Sequence, residues 1–475
     1  MLFTSASFLV LFLPLTVAGY WLLPMRARVL FLLAASYVFY LSWRPEFGLL
    51  LAASTVVNYA IVRRLPASAA PRRWLVGGVV FNLGVLATFK YLGLFSGAAG
   101  ELVSFLGLGA SGFDGLQVAL PLAISFFTFE MISVLVDVHR GDVRVDGFVR
   151  FATYKAFFPK LISGPITRYR ELAPQLSGTS NLTFAGFQSG LALFTLGLFK
   201  KLAIANNLAI LANPAFVDPR STPSGVALVG ILAFGFQILI DFSAYTDMAR
   251  GVSRMLGLEL PRNFNFPYAA TSPSDFWRRW HISLSRWLRD YLYIPLGGNR
   301  RGTFATYRNL MITMVLGGLW HGAAWHFAVW GGIHGALLAG SHALRNRVRR
   351  RTLARVMSVA GWLATVSAVF VAWVFFRADD LGDAVHLLRS SVRGPFDLNA
   401  PTALYESIRV KHALLVMVAA LIAYPLLPRI VAALRAAPSP VPARPLALAV
   451  GTVACWCAAG LLSPTTNAPF IYFQF

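Results

Sequence analysis

Two histidines in a strongly apolar sequence are the residues best suited to chemistry. His281 lies in the segment 276–290, FWRRWHISLSRWLRD, and His321 lies in the motif 318–322, GLWHG, inside an apolar hairpin. An ionisable side chain at membrane depth is costly and usually marks a functional site. Because a neutral imidazole can take a proton from a hydroxyl group and return it to a leaving group, the pair predicts proton-transfer chemistry inside a bilayer.

Each histidine also has a structural interpretation. A buried His321 bonded to a carbonyl group would serve helix packing, and the spacing alone does not separate packing from catalysis. An amphipathic interfacial helix over 276–293, capped by Ser274 or Asp275, accounts for the tryptophans and arginines around His281. That interpretation gives no role to His281 itself.

Buried acids are the second set of candidates. Asp241 and Asp247 lie at the end of a hydrophobic span, and we expect them to pair with cations, for which Arg250 and Arg254 are candidates. Structural pairing is favoured over direct catalysis for both acids.

The segment 156–166, AFFPKLISGPI, is apolar but broken by two prolines and a glycine. Such backbone occurs at membrane depth only where protein or a water cavity satisfies it. A re-entrant element and a loop on the surface both remain open. Glu130 lies deeper in a hydrophobic run, with Lys160 or a histidine as its candidate partner.

A metal site is not expected. His326, His334 and His342 share one helix face, but zinc sites on helices usually use closer pairs with a nearby carboxylate, and the hairpin 307–343 contains no Asp or Glu. Packing and interhelical hydrogen bonding are the expected roles of these histidines. Cys455 and Cys457 are expected to be core residues.

The composition is that of a membrane protein. Of 475 residues, 57% are hydrophobic and 13% are charged, whereas soluble domains have about 25% charged residues. We predict an all-α polytopic fold of roughly 11–12 transmembrane helices, each of about 20 residues, with additional re-entrant and interfacial helices. One domain, 1–475, with a catalytic core near 117–345, is expected. The predicted spans are 6–24, 29–43, 47–62, 74–97, 117–138, 183–212, 224–246, 307–320, 323–343, 354–376, 412–428 and 443–463.

The net charge of +23 comes largely from arginines in alternate loops. This alternation indicates that the basic loops lie in the cytoplasm and that both termini lie outside. Membrane topology therefore explains the positive charge better than binding of nucleic acid does. The first 25 residues contain no Lys or Arg, so we expect a permanent span rather than a cleaved signal peptide. The motifs GxSxG and GxxxxGK[ST] are absent, and no GxGxxG follows a predicted strand, which disfavours a nucleotide-driven pump or a bound nucleotide cofactor.

The two histidine segments, extended to 275–298 and 317–322, closely resemble the membrane-bound O-acyltransferases, in the branch of the bacterial alginate O-acetylases. The resemblance covers nearly the whole chain. It includes the opening MLFTS, the run 35–40 (ASYVFY), the segments 158–166 and 241–247, and the ending 470–475 (FIYFQF).

This resemblance implies an all-helical enzyme of the bacterial inner membrane. His321 would be its catalytic histidine, and His281 a second catalytic-site residue. The enzyme would move an acetyl or other acyl group from a cytoplasmic thioester, such as acetyl-CoA, without a bound cofactor. It would work with a periplasmic acetyltransferase partner on a cell-surface polysaccharide. Residues expected to support the site or bind the donor are Trp277, Arg278, Arg279, Trp280, Arg286, Asp241, Asp247 and Trp320, and Arg289 adds to the same positive charge.

The acceptor stays open among alginate, cellulose, peptidoglycan and another exopolysaccharide, as does D-alanyl transfer to teichoic acid. Two other classes of function compete with an acyltransferase. Buried ionisable residues also build proton-coupled transporters, but no internal repeat is evident, and the candidate site is one local pair of histidines. A passive component of an export complex would leave His321 without a purpose. Consumption of a thioester discriminates among these classes.

Overall fold

The computed structural model describes residues 1–105, 119–177, 183–347 and 354–393, and scattered positions from 411 to 471. Helices dominate these ranges, and no β-strand occurs within them. The α-helices are α1 (Leu13–Leu22), α2 (Met25–Leu41), α3 (Glu46–Arg64), α4 (Pro71–Leu86), α5 (Leu92–Phe105), α6 (Ile124–Arg140), α7 (Phe148–Ala156), α8 (Phe158–Leu161), α9 (Tyr169–Leu172), α10 (Phe184–Phe199), α11 (Asn206–Val217), α12 (Ser224–Met255), α13 (Pro273–Arg279), α14 (Ile282–Leu288), α15 (Gly302–His321), α16 (Trp325–Arg347), α17 (Ala354–Arg377) and α18 (Leu381–Ser390).

Several helical runs are long and apolar enough to cross a membrane. In the described residues these are Glu46–Ala67, Pro71–Gly97, Phe184–Val217, Ser224–Met255 and Val359–Arg377, and a shorter apolar run covers Ser7–Leu22. The all-α polytopic prediction is therefore confirmed, and each of the first ten predicted spans overlaps a helix. The total number of crossings stays a prediction. The last two predicted spans, with Cys455 and Cys457, lie largely outside the described residues.

The chain divides into two compact units. The first comprises Met1–Leu191 with Ala249–Pro261, and the second comprises Ala192–Met248 with Arg262–Phe475. The predicted single domain, with its core near 117–345, stays a prediction.

In the first unit, the broken apolar segment 156–166 is buried throughout, so the surface-loop interpretation is wrong. Lys160 in this segment forms an ion pair with Glu130 of α6, and the Thr167 backbone N–H donates to the same carboxylate. The predicted partnership of Glu130 and Lys160 is thus confirmed. Both side chains are buried, so each charge depends on the other for its stabilisation.

In the second unit, α15 and α16 form a tight hairpin. A methyl group added at Gly318 would overlap the carbonyl oxygen of Phe327, and one added at Gly331 would overlap the carbonyl oxygen of Met314. Small residues at a helix crossing let the two backbones approach closely. The glycines around His321 therefore set the spacing of the hairpin that carries it.

The predicted continuous helix over 276–293 is wrong. The structure divides it into α13 and α14, which are separated at Trp280 and His281. The N-cap is also not Ser274 or Asp275: Ser272 caps α13, and its hydroxyl accepts the backbone N–H of Asp275. The break gives His281 an environment that a straight interfacial helix would not provide.

Candidate active site

His281 occupies a strained turn between α13 and α14. Its backbone has φ +40° and ψ +56°, in the left-handed region that residues with a Cβ seldom adopt. Asn263 holds the turn from the side: its carbonyl accepts the Ile282 N–H at 3.0 Å, and its Oδ1 accepts the Ser283 N–H at 3.2 Å. Strain that the surrounding structure maintains in this way is typical of functional sites.

The His281 ring is fully buried among aromatic rings. Phe242 lies edge-on at 4.8 Å between ring centroids, and Trp320 lies at 6.3 Å. Among the described residues, neither ring nitrogen has a hydrogen-bond partner. Burial lowers the pKa of His281 from 6.5 to about 3, because an imidazolium ion in this setting would lose its hydration. The ring is thus neutral at physiological pH, with a basic nitrogen available.

His321 ends α15 and is also buried. Three aromatic rings surround it: Trp320 at 4.9 Å, Phe376 at 5.1 Å and Trp330 at 5.2 Å between centroids. Trp320 therefore packs against both histidines. The structure brings the two predicted catalytic residues into one aromatic cluster, with the predicted Trp320 between them.

A groove of about 520 Å³ lies beside this cluster. Helices α13 to α16 line it, together with the short π-helix Arg289–Tyr293 that follows α14. Arg278, Arg286 and Arg289 provide positive charge, Trp277 forms part of the wall, and Met314 belongs to the apolar side. The other lining residues are Ser274, Ile282, Ser285, Leu288, Tyr293, Leu310, Thr313 and Leu338. A groove that joins guanidinium groups to an apolar wall suits a ligand with an anionic part and a neutral arm.

Arg279 and Trp280 are among the five predicted supporting residues that do not line this groove, with Asp241, Asp247 and Trp320. Arg279 instead pairs with Asp275 at 2.9 Å across one helical turn. Trp280 packs into an aromatic core, 4.8 Å from Trp373 and 5.7 Å from Phe276 between centroids. In these positions both residues stabilise the segment that carries His281, and their predicted part in donor binding stays untested.

The two predicted acids have partners other than the expected arginines. Lys201 lies 2.9 Å from Asp241, and Lys200 lies 2.8 Å from Asp247. The expected structural pairing of these acids is therefore present, with cations from the π-helix Lys200–Ala205. Pairing with Arg250 or Arg254 stays a prediction. The second oxygen of Asp241 accepts the backbone N–H of Ile471 at 2.9 Å.

The remaining histidines of the hairpin take packing and hydrogen-bonding positions. The Nδ1 atom of His326 lies 2.9 Å from the carbonyl oxygen of Phe375, and His334 accepts a hydrogen bond from Trp277. The described residues contain no group of three or more His, Cys, Asp or Glu side chains that could hold a metal ion.

Sequence reasoning missed Asn263, Phe242 and Lys201. The first lies in a proline- and asparagine-rich stretch that predicts only a turn, and its partner is 20 residues away. Phe242 directly follows Asp241 and could have been examined for that reason. Lys201 is a cation within a long hydrophobic run, which by itself signals a buried acidic partner.

The structure is that of a helical membrane protein with two histidines buried in one aromatic cluster. A family model described as MBOAT, membrane-bound O-acyltransferase family, matches residues 116–378. The chain belongs to this family, and it is an O-acyltransferase.

Several individual proteins of known or probable activity are similar to this chain in sequence. The chain is 46% identical over 388 residues to the probable alginate O-acetylase AlgI of Azotobacter vinelandii, covering 80% of this chain and 76% of that protein. It is 36% identical over 427 residues to the peptidoglycan O-acetyltransferase of Helicobacter pylori, covering 82% and 80%. It is 27% identical over 237 residues to the teichoic acid D-alanyltransferase of Streptococcus thermophilus, covering 47% and 57%.

Proposed function

We propose that this protein transfers an acetyl group from a cytoplasmic thioester across the bacterial inner membrane to a secreted polysaccharide, with alginate as the acceptor. The observation that carries the proposal is the aromatic cluster that joins His281 and His321 through Trp320. The 46% identity to a probable alginate O-acetylase supports the choice of acceptor. Both termini would lie on the periplasmic side, and a periplasmic acetyltransferase would receive or deliver the group.

In the proposed reaction, His321 is the general base. It takes the proton of the acceptor hydroxyl group while that oxygen forms a bond to the thioester carbonyl carbon. The carbon–sulfur bond then breaks, and His321 gives the proton to the sulfur, which leaves as a thiol. His281 is neutral at physiological pH, and a neutral imidazole carries one N–H group. That N–H can donate a hydrogen bond to the carbonyl oxygen as negative charge develops there.

The donor would occupy the groove beside the cluster. Arg278, Arg286 and Arg289 would bind the phosphates of acetyl-CoA, and the apolar wall would accept the neutral arm that ends in the thioester. Replacing Arg286 by Ala should raise KM for acetyl-CoA about threefold to tenfold with little change in kcat, because an exposed arginine contributes modestly. Arg300→Ala, in the same basic region but outside the lining, is the control. An equal effect of both changes on KM would show that the donor does not bind in the groove.

The first experiment is to measure the acetyl content of secreted alginate and of wall glycans in cells carrying wild type or His321→Ala, at matched protein levels in the membrane. Loss of a general base lowers a rate by roughly 100-fold or more. Acetylated alginate should therefore fall to background. His342→Ala, on the same hairpin, is the matched control and should retain acetylation. Normal acetylation of every glycan in His321→Ala cells would refute the assignment of His321.

Peptidoglycan is the second candidate acceptor. The observation in its favour is the 36% identity to a peptidoglycan O-acetyltransferase over 82% of this chain. The same experiment distinguishes the two acceptors: loss of acetyl from muramic acid, with alginate unaffected, would reassign the acceptor and leave the proposed chemistry intact.

A further inference from the structure

One hydrogen bond joins the groove wall to the hairpin that carries His321. The Nε1–H of Trp277 on α13 donates to Nδ1 of His334 on α16 at 3.2 Å. Both side chains are buried. Because Nδ1 accepts this bond, the ring proton of neutral His334 lies on Nε2.

On its other sides His334 packs against aromatic rings, and no described residue forms a hydrogen bond with its Nε2. The Phe276 ring lies parallel to it at 5.9 Å, with 7° between the planes, and the Trp330 ring lies edge-on at 4.8 Å. Trp330 in turn lies 5.2 Å from His321. His334 therefore contacts two tryptophans with different positions. Trp277 belongs to the wall of the groove, and Trp330 packs on His321, the proposed base.

We propose that His334 is a positioning residue for the transfer reaction. By accepting the indole N–H, it fixes Trp277 as the wall of the donor groove, and by packing on Trp330 it keeps that ring in place against His321. This inference rests on the proposed function, because it requires the donor to bind in the groove.

Packing alone does not require a histidine at position 334. Leucine or phenylalanine would also pack between Phe276 and Trp330. Either would leave the buried N–H of Trp277 without an acceptor, and an unsatisfied buried donor costs more than the bond itself contributes. The indole could recover a partner only by rotating, which would change the shape of the groove wall.

Four substitutions separate hydrogen bonding from packing. Asparagine at 334 places Oδ1 at the position of the histidine Nδ1 and preserves the acceptor. His334→Leu and His334→Gln do not, since the glutamine amide lies one bond further out. Trp277→Phe removes the donor and retains a ring in the wall.

The measurement is the Kd of a non-cleavable ketone analogue of acetyl-coenzyme A for purified protein in lipid nanodiscs. We expect His334→Leu, His334→Gln and Trp277→Phe each to weaken binding about tenfold, and His334→Asn to remain within about threefold of wild type. The double variant Trp277→Phe/His334→Leu should also lose about tenfold rather than a hundredfold, because both changes break one bond.

Three results would overturn the proposal. Asparagine could weaken binding as much as leucine does, or the two single losses could multiply in the double variant. Alternatively, His334→Leu could lower the thermal midpoint and the yield while the remaining protein binds the analogue normally, which would reduce His334 to packing. If wild type itself fails to bind the analogue, the donor groove of the proposed function fails, and this inference with it. If wild type binds and only the His334 contrast is missing, the proposed function stands.

Discussion

The buried His281 should make the protein sensitive to acid. Its pKa is lowered from 6.5 to about 3 in the folded state, so below pH 6.5 the unfolded chain binds a proton that the folded chain does not. The stability contributed by the neutral ring is complete above pH 6.5 and is lost progressively as the pH falls toward 3. Between pH 6.5 and pH 5 the loss is about 2 kcal/mol, at about 1.4 kcal/mol per unit.

The test compares the free energy of unfolding of wild type and His281→Gln between pH 7.5 and pH 5, in one lipid–detergent mixture. Other titrating groups contribute equally to both proteins, so the difference isolates His281. As the pH falls to 5, the free energy of unfolding of wild type should decrease by about 2 kcal/mol more than that of the variant. His342→Gln is the control and should retain the wild-type acid dependence. Parallel profiles for wild type and His281→Gln would refute the burial argument.

Three further predictions concern the framework. Gly318→Ala should separate the helices of the hairpin and lower stability by about 1–3 kcal/mol, together with activity, as measured by the thermal midpoint and the acetylation of secreted glycan; an unchanged midpoint would contradict the close packing. Asp241→Asn should leave Lys201 without its counter-ion and cost about 3–5 kcal/mol, and the double change with Lys201→Met should recover most of that loss. Glu130→Gln should reduce the amount of folded protein in membranes through the same effect on Lys160, whereas an unaltered level would show that the pair contributes little.

The sequence predicts the helices well because their signal is strong. Apolar windows of the length of a membrane span are hard to mistake, and the first ten overlap helices. The ion pair of Glu130 and Lys160 was also accessible, since buried charges in a membrane protein seek one another. The break at His281 was not accessible, because the amphipathic pattern of 276–293 continues through it without a proline or glycine.

The site was predictable in its residue types but not in its geometry. The sequence identifies His281 and His321 as unusual, yet only the fold brings Trp320 against both of them. From the sequence, the nearest arginines are only candidates as partners of the buried acids, because sequence distance is the one measure it offers. Lys200 and Lys201 are more than 39 positions away along the chain, and only the packing of helices shows that they are the partners.

The two histidines are held by different means, and this allows their contributions to be separated. A strained turn fixed by Asn263 holds His281, whereas His321 is placed by the end of α15 and by the glycine contacts of the hairpin. A change at Asn263 should therefore disturb His281, the proposed hydrogen-bond donor to the developing charge, and spare His321, the proposed general base. A change at Gly318 should do the reverse. Because the two proposed roles would act in one transition state, their losses should be less than additive if the aromatic cluster functions as a unit.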